Sequence, residues 1–455
     1  MAKTKDLTQG SVWKLLLVFA FPTLLSNVFQ QFYNLADTAI AGHILGDNAL
    51  VAIGASSTIN SLVLSFAWGL NGGFGIIIAQ CFGAKDFKRL KKSVAISLVI
   101  NAVFSVAVLF ASVLFSKPML KLLNTPSARL EEANSYIVVI LACIIVPMLY
   151  NLEAVILRSL GDSKTPLYFL ILSALLNVVL DLFFIMVLSW GVAGAAIATV
   201  ISQGVSGILC LVFLLTKVDI LKLKKEHFKL DPIGAKIQLN IGIPMALQFS
   251  ITAIGTMILQ AALNLLGSTV VASYTAACKV EQLVTQAFQA MGMTMATYSA
   301  QNWGIHSTKR IRKGQKTAMV LSCSYAVIIY FVVLAILPFM TSLFFDGDLT
   351  TVIGYVREYI QICGLCFIPL GMIFIYRNVL QGCGYALFPT LGGVVELISR
   401  SVFAFIAARA KSYTGICVAN ASAWVTAGIF LWIAYLFIMK GILKKDEERK
   451  GKCNL

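Results

Sequence analysis

The chain alternates long apolar blocks with short polar segments along its whole length. Blocks such as Val94–Phe115, Tyr136–Leu157 and Leu167–Leu188 contain almost no charged residues. A helix of about 20 apolar residues crosses a hydrocarbon core about 30 Å thick. The pattern therefore predicts an all-α polytopic membrane protein with twelve transmembrane helices, at about 14–44, 49–82, 93–115, 134–157, 166–188, 192–216, 237–266, 269–303, 315–344, 352–379, 388–408 and 416–439.

The second half of the sequence repeats the first with an offset near 221 residues. For example, "AQCFGAKDFKRLKK" (79–92) aligns with "AQNWGIHSTKRIRK" (300–313). Six spans in each half give both halves the same orientation, so they form a parallel repeat that encloses a cleft, which favours a transporter over a channel or an enzyme. The predicted parts are an amino-terminal six-helix lobe (1–216), a cytoplasmic linker (217–236), a carboxy-terminal six-helix lobe (237–440) and a basic tail (441–455).

The positive charge of the chain follows its topology. The net charge is +16, yet only 12% of the residues are charged, about half the share of a soluble protein. The basic residues cluster in alternate polar gaps, which is the positive-inside pattern. We therefore expect both termini and three loops to be cytoplasmic, and we expect no nucleic-acid partner; the loops are 83–92, 217–236 and 304–314.

No enzyme motif is present in the sequence. It lacks His-Glu-x-x-His, paired loop aspartates and a nucleophile motif, and its three histidines lie at span ends or in loops. The ten cysteines lie mostly within apolar spans, where cysteine packs as a small hydrophobe. We expect neither a catalytic activity nor a cofactor.

Four acids within the predicted spans stand out: Asp37, Asp181, Glu281 and Glu396. An acid at membrane depth costs about 3 kcal/mol on insertion scales, so it is expected to face the bundle interior or a wet cavity.

The acids of the first half come with polar companions. Asn177 is four residues before Asp181, on one helix face, and Thr199 lies on the next span after a short turn. Together with Asp37, these oxygen atoms suit a sodium ion. They also suit a proton, because two neighbouring carboxyl groups share one readily. The alternative is that each acid only forms a hydrogen bond inside the bundle.

The second half does not repeat these acids. Asp37 aligns near Leu259 and Asp181 near Ala404. Glu396 and Arg400 are spaced to neutralise each other as a structural pair, while a structural and a functional role remain equally open for Glu281. The asymmetry predicts that one half holds the coupling ion and the other mainly completes the cavity.

Pro22 lies about one-third of the way along the span that carries Asp37. Proline removes a helical hydrogen bond and kinks a helix. Pro22 is therefore either a hinge or the site of a static bend.

At these residues the chain resembles the multidrug and toxic compound extrusion (MATE) family. The resemblance covers nearly the whole chain and rests on the 6+6 repeat and on three segments, "QQFYNLADTAIAGHILGDNALVAIG" (30–54), "AQCFGAKD" (79–86) and "LRSLGDSKTP" (157–166). The resemblance implies export of an organic compound through the bacterial inner membrane in exchange for Na⁺ or H⁺. It implies a cation site at Asp37, Asn177, Asp181 and Thr199, and cavity positions at Tyr33 and Asn151.

Other expectations concern the second lobe, the substrate and the rival function. Another branch of the family has functional acids on spans 7 and 10; this chain has none within span 7 and only Glu358 near the outer end of span 10. We expect a monomer whose substrate is an amphipathic organic cation, with Glu281 as a further candidate for the cavity. The alternative is a flippase for lipid-linked oligosaccharide or peptidoglycan precursors. A flippase would need more bases than the few expected in the membrane, which are Lys279, Arg400 and Arg357.

Overall fold

The computed structural model describes residues 5–45, 47–122, 130–229, 231–342 and 349–453, and these residues form helices without a β-strand. The helices are α1 (Val12–Leu45), α2 (Asp47–Gly83), α3 (Phe87–Leu122), α4 (Leu130–Ala142), α5 (Ile145–Ser159), α6 (Lys164–Leu182), α7 (Gly191–Lys217), α8 (Pro232–Asn264), α9 (Ser268–Gly304), α10 (Thr308–Ser342), α11 (Leu349–Leu365), α12 (Phe367–Gly382), α13 (Leu387–Ala410) and α14 (Tyr413–Cys453). A π-helical turn, Phe183–Val187, follows α6, and two short 3₁₀ turns lie between α7 and α8.

These helices confirm the predicted all-α membrane fold. Within the described ranges, nine helices are individually long and apolar enough to cross a membrane, and two bent helix pairs raise the number to eleven. The one predicted span that this count leaves out, 269–303, corresponds to α9, a more polar helix of 37 residues.

Two of the predicted spans are bent rather than straight. α4 and α5 meet at 47°, and α11 and α12 meet at 51°. In both pairs the second helix has a proline as its third residue, Pro147 in α5 and Pro369 in α12. Proline has no N–H for the preceding turn and its ring clashes with that turn, so both breaks have the same cause.

The chain forms two compact units that do not coincide with its two halves. The amino-terminal unit comprises Met1–Asp6 and Leu25–Ala246, and the carboxy-terminal unit comprises Leu7–Leu24 and Leu247–Leu455. The helices α1 and α8 are thus each divided between the units. Both divisions fall just after a proline, Pro22 in α1 and Pro244 in α8.

Close helix contacts organise the amino-terminal unit. A Cβ atom at Gly69 would lie 2.5 Å from the Cα of Ala246, and one at Gly73 would lie 2.4 Å from the Cα of Gly242. These glycines of α2 therefore allow α8 to approach backbone to backbone.

The carboxy-terminal unit binds the amino-terminal end of the chain through hydrogen bonds. The backbone N–H of Leu7 donates to the Gln301 side chain at 2.9 Å, and Arg310 donates to the carbonyl oxygens of Leu7 and Gly10. Tyr298, Tyr359, Phe288 and Phe367 are among its fully buried side chains.

Candidate functional site

The polar residues predicted for the cation site belong to one unit, the amino-terminal one. Asp37 lies on α1, Asn177 and Asp181 on α6, and Thr199 on α7. Asn177 and Asp181 are 0% exposed, so their helix turns this polar face inward. The α6–α7 connection is short, which places Thr199 on the neighbouring helix.

The carboxyl groups of Asp37 and Asp181 lie close enough to interact directly. Neither oxygen of Asp181 and neither polar atom of the Asn177 side chain has a hydrogen-bond partner of good geometry among the described residues. Oδ1 of Asp37 also lacks one. Buried polar atoms without partners are costly, and a bound cation would satisfy the oxygen atoms among them.

Thr199 and Tyr33 complete the group around the two acids. The Thr199 hydroxyl donates to the Ala195 carbonyl at 3.1 Å, which leaves its oxygen able to accept or to coordinate. The Tyr33 ring is buried, and its hydroxyl lies beside Thr199, Gln203 and Asp37. The arrangement offers two carboxylates, one amide and two hydroxyls, which suits a hard monovalent cation or a proton.

Two further members of this group were not predicted from the sequence. The buried Tyr136, on α4, lies near enough to interact with Tyr33, Asp37 and Asp181. Gln203 lies one turn after Thr199 on α7. The i, i+4 spacing from Thr199 was a usable signal for Gln203, whereas the place of Tyr136 depends on how the bent α4–α5 pair packs.

The helix that carries Asp181 changes its geometry immediately after the acid. α6 ends at Leu182, and the five residues Phe183–Val187 form a π-helical turn. Such turns are rare in proteins, and those that occur are often found at functional sites. A π-helical turn shifts the register of the side chains that follow it.

The structure gives Asn151 a local partner. Its amide donates to the carbonyl of Pro147 at 2.7 Å, within the first turn of α5. The predicted place of Asn151 at the cavity stays a prediction.

Glu153 is a buried acid that the sequence interpretation did not select. It lies on α5, is 0% exposed, and neither carboxyl oxygen has a hydrogen-bond partner among the described residues. Its nearest polar neighbour is the Cys210 thiol on α7. The signal was present, since Glu153 is an acid within an apolar block.

Glu281 lies on α9 in the carboxy-terminal unit, apart from the predicted cation residues. It accepts a hydrogen bond from the hydroxyl of Tyr359 on α11, and that hydroxyl accepts one from Asn420 at 2.9 Å. The three helices α9, α11 and α14 are thus linked through this acid.

Glu396 and Arg400 form the predicted pair on α13. Arg400 Nη2 donates to Glu396 Oε1 at 2.7 Å. Arg377, on α12, also donates to Glu396, with 3.3 Å from Nη2 to Oε2. Arg377 was not predicted, because its partner lies on another helix and the two are 19 residues apart in sequence.

Among the described residues, no group of three or more His, Cys, Asp or Glu side chains is suited to a metal ion. The amino-terminal group offers oxygen atoms from acids, amides and hydroxyls.

Comparisons with known proteins agree with this fold. The MatE family model matches residues 22–183 and 244–406, one block in each half of the chain. The chain is 33% identical to the probable multidrug resistance protein YpnP of Bacillus subtilis (strain 168), over 68% of this chain and 69% of that protein. It is 24% identical to the probable multidrug resistance protein YoeA of the same organism, over 96% of each.

A solved structure described as the outward-facing conformation of a multidrug resistance MATE family transporter has the same fold. The TM-score is 0.91 at 21% identity, with coverage of 98% of this chain and 99% of that one. The family model covers most of the chain, and the repeated helical fold agrees with it. The chain therefore belongs to the MatE family, the multidrug and toxic compound extrusion transporters.

Proposed function

We propose that this protein exports amphipathic organic compounds, cations among them, from the bacterial cytoplasm in exchange for Na⁺ or H⁺. The observation that carries the proposal is the pair of neighbouring acids, Asp37 and Asp181, enclosed by Asn177, Thr199 and Tyr33 within one helical unit. The multidrug resistance proteins among its relatives support the class of substrate.

The carboxylate pair is the proposed site of the coupling ion. Two carboxylates in a low-dielectric site repel each other, so the empty pair is held apart or shares a proton. A bound cation removes the repulsion and stabilises an arrangement in which α1 lies closer to α6. An ion shifts a conformational equilibrium only through its different affinities for the two states, and the acid pair supplies such a difference.

Exchange follows if the ion and the organic compound favour different arrangements. By thermodynamic reciprocity, an ion that weakens binding of the compound is itself weakened by the compound to the same degree. Pro22 remains our proposed hinge, because α1 passes from one unit to the other only two residues after it. The α1 helix itself continues through Pro22 without a break.

The flippase alternative is less well supported. The relatives include several multidrug resistance and export proteins, and two neighbouring acids are poorly suited to hold a pyrophosphate. The family consists of transporters, which agrees with the expectation that the chain is not an enzyme.

Transport by the purified protein in liposomes tests the proposal. A fluorescent organic cation is enclosed on the cytoplasmic side, and a Na⁺ gradient and a pH gradient are imposed separately. We expect one gradient to drive the dye out and its collapse to stop the flux. Flux that ignores both gradients would contradict the proposed exchange. A control variant is Glu131→Gln, since that acid is exposed and forms a salt bridge with Lys117, away from the proposed ion site.

A further inference from the structure

The carboxy-terminal unit contains a buried cluster with more positive than negative charge. Arg377 and Arg400 both donate to the single carboxylate of Glu396, one to each oxygen. The side chains are only 11%, 3% and 7% exposed, in that order. Two guanidinium groups and one carboxylate leave a net charge of +1, and arginine does not lose its proton in proteins.

Three of the arginine donors in this cluster have no acceptor. They are Nε of Arg377 and Nε and Nη1 of Arg400, and none has a hydrogen-bond partner among the described residues. A buried, uncompensated charge costs several kcal/mol per ion, because water no longer solvates it. Glu281 is near enough for its charge to interact with Arg400 and to offset part of the positive charge, and its carboxylate also accepts a hydrogen bond from Tyr359.

The free end of Arg400 packs closely against a glycine. A Cβ atom at Gly255, on α8, would lie 2.9 Å from Nη1 of Arg400. Any other residue there would press against the guanidinium group. Gly255 and Arg400 both belong to the carboxy-terminal unit, so this contact is a feature of that unit alone.

The repeat shows how this cluster differs from its counterpart. α6 begins at Lys164 and α13 at Leu387, so Arg400 occupies the position of Asn177, and Glu396 that of Ser173. With Pro22 aligned to Pro244, Gly255 occupies the position of Tyr33. At the positions where the amino-terminal unit has an amide and a phenol, the carboxy-terminal unit has a guanidinium group and a glycine that leaves room for it.

We propose that Arg377 and Arg400 bind the carboxylate of an amphoteric organic substrate, with Glu396 as the residue that positions both guanidinium groups. A guanidinium fork recognises a carboxylate through parallel charge-assisted hydrogen bonds. The three unpaired guanidinium N–H donors suit the oxygen atoms of one carboxylate. The inference rests on the proposed export function, because it assigns the group that binds the second charge of the substrate.

A matched pair of rhodamine dyes tests this assignment. Both share the cationic ring system; one has a free benzoate and the other its methyl ester. Binding to the full-length protein in detergent is followed by fluorescence polarisation, without any ion gradient. We expect the free acid to bind about tenfold more tightly than the ester, because the ester has no negative charge with which to accept charge-assisted hydrogen bonds. Equal binding of the two dyes, or no binding of either, would overturn the proposal.

Arg377→Gln is the most informative variant. It removes the excess charge and leaves the shorter Arg400–Glu396 pair intact, so the fold should persist. We expect it to reduce the affinity for the free acid to that for the ester and to leave the ester unaffected. Arg409→Gln, an exposed arginine against Phe405 on the same helix, should change neither affinity. An equal loss for both dyes in Arg377→Gln would show a structural role and refute the site.

Two more measurements separate the possible outcomes. Acetate added alone should not displace the free acid at similar concentrations; if it does, the cluster is a simple anion site and the substrate assignment is wrong. Preferential binding of the acid without gradient-driven efflux would leave this site standing and refute the proposed exchange. Gradient-driven efflux of both dyes without preferential binding of the acid would support the proposed exchange and refute this site.

Discussion

Equivalent helices of the two units carry different buried charges. On α6 the buried positions are Ser173, Asn177 and Asp181, and on α13 the matching positions are Glu396, Arg400 and Ala404. Asp37 on α1 is matched by the buried Leu259 on α8. A repeated fold thus fixes where side chains point inward, and single substitutions at those points then decide which charge each unit can hold.

The difference is also one of compensation. In the carboxy-terminal unit the acid Glu396 is bonded to two arginines. In the amino-terminal unit Asp37 and Asp181 have each other as neighbours, and neither makes a salt bridge with a described base. An acid with a built-in partner stabilises structure, whereas an acid without one is available for a mobile cation.

Removing either acid of the pair should have the largest effect. Asp37→Asn or Asp181→Asn keeps the side-chain size but removes the charge, so gradient-driven efflux should fall to the level of empty liposomes. The double variant should be little worse than either single one, because both act on one site. Melting temperatures and expression would serve as folding controls. Full efflux by Asp37→Asn would reduce that acid to a structural hydrogen-bonding residue.

Giving the amino-terminal unit the charge of its counterpart should have the next largest effect. Asn177→Arg places a guanidinium group one turn from Asp181, where it pairs with the acid and repels the coupling cation. An interaction of about 1.4 kcal/mol changes an affinity tenfold, so the half-saturating ion concentration should rise about tenfold or more. Tyr168→Arg, at an exposed position of the same helix, is the matched control. An unchanged ion dependence in Asn177→Arg would place the ion elsewhere.

The close approach of α2 and α8 offers a test of packing rather than charge. Gly73→Ala introduces a Cβ 2.4 Å from the Cα of Gly242, which cannot move without shifting a backbone. Overpacking of this kind costs about 1–3 kcal/mol. Gly72→Ala meets only the flexible end of Met245, at 3.1 Å, and should be nearly neutral. Equal melting temperatures for the two variants would contradict the backbone-to-backbone contact.

A surface ion pair of the amino-terminal unit should have the smallest effect. Lys92 and the backbone N–H of Gly234 hold the pKa of Asp231 below its usual value, and Lys92 Nζ lies 2.8 Å from Oδ2. A lowered carboxyl pKa stabilises the fold above the unfolded pKa, and the contribution disappears as the pH falls through the folded pKa. Lys92→Ala should therefore lower the melting temperature slightly at pH 7 and not at about pH 3. If Lys92→Ala lowers the melting temperature equally at about pH 3, the ion pair with Asp231 is not the cause of the loss.

The fold was predictable because apolar blocks of bilayer length are a strong signal. The bends near Pro147 and Pro369 were not predicted. An apolar block of bilayer length that contains one proline still has the pattern of a single straight helix. The lobe boundaries were drawn as sequence halves, while α1 and α8 pass between units, and this depends on packing that no local pattern encodes.

The site was predictable only as far as single helices reveal it. Asp37, Asn177 and Asp181 could be found because a polar residue in an apolar block is conspicuous, and Thr199 because a short turn links its helix to theirs. Tyr136 and Arg377 were not predicted from the sequence, because their partners lie on other helices. The arginine donors without acceptors around Glu396 could be found only from the three-dimensional structure, in which donors and acceptors can be paired.

Binding of the coupling ion to the purified protein tests the central claim most directly, with no substrate and no gradient. Radioactive Na⁺ binding and proton release are measured on the same samples of the wild type, Asp37→Asn, Asp181→Asn and Glu281→Gln. We predict that one ion site is present in the wild type and in Glu281→Gln and is lost in both aspartate variants. An ion that stays bound in Asp37→Asn and Asp181→Asn but is lost in Glu281→Gln would place the coupling site in the carboxy-terminal unit and contradict the account.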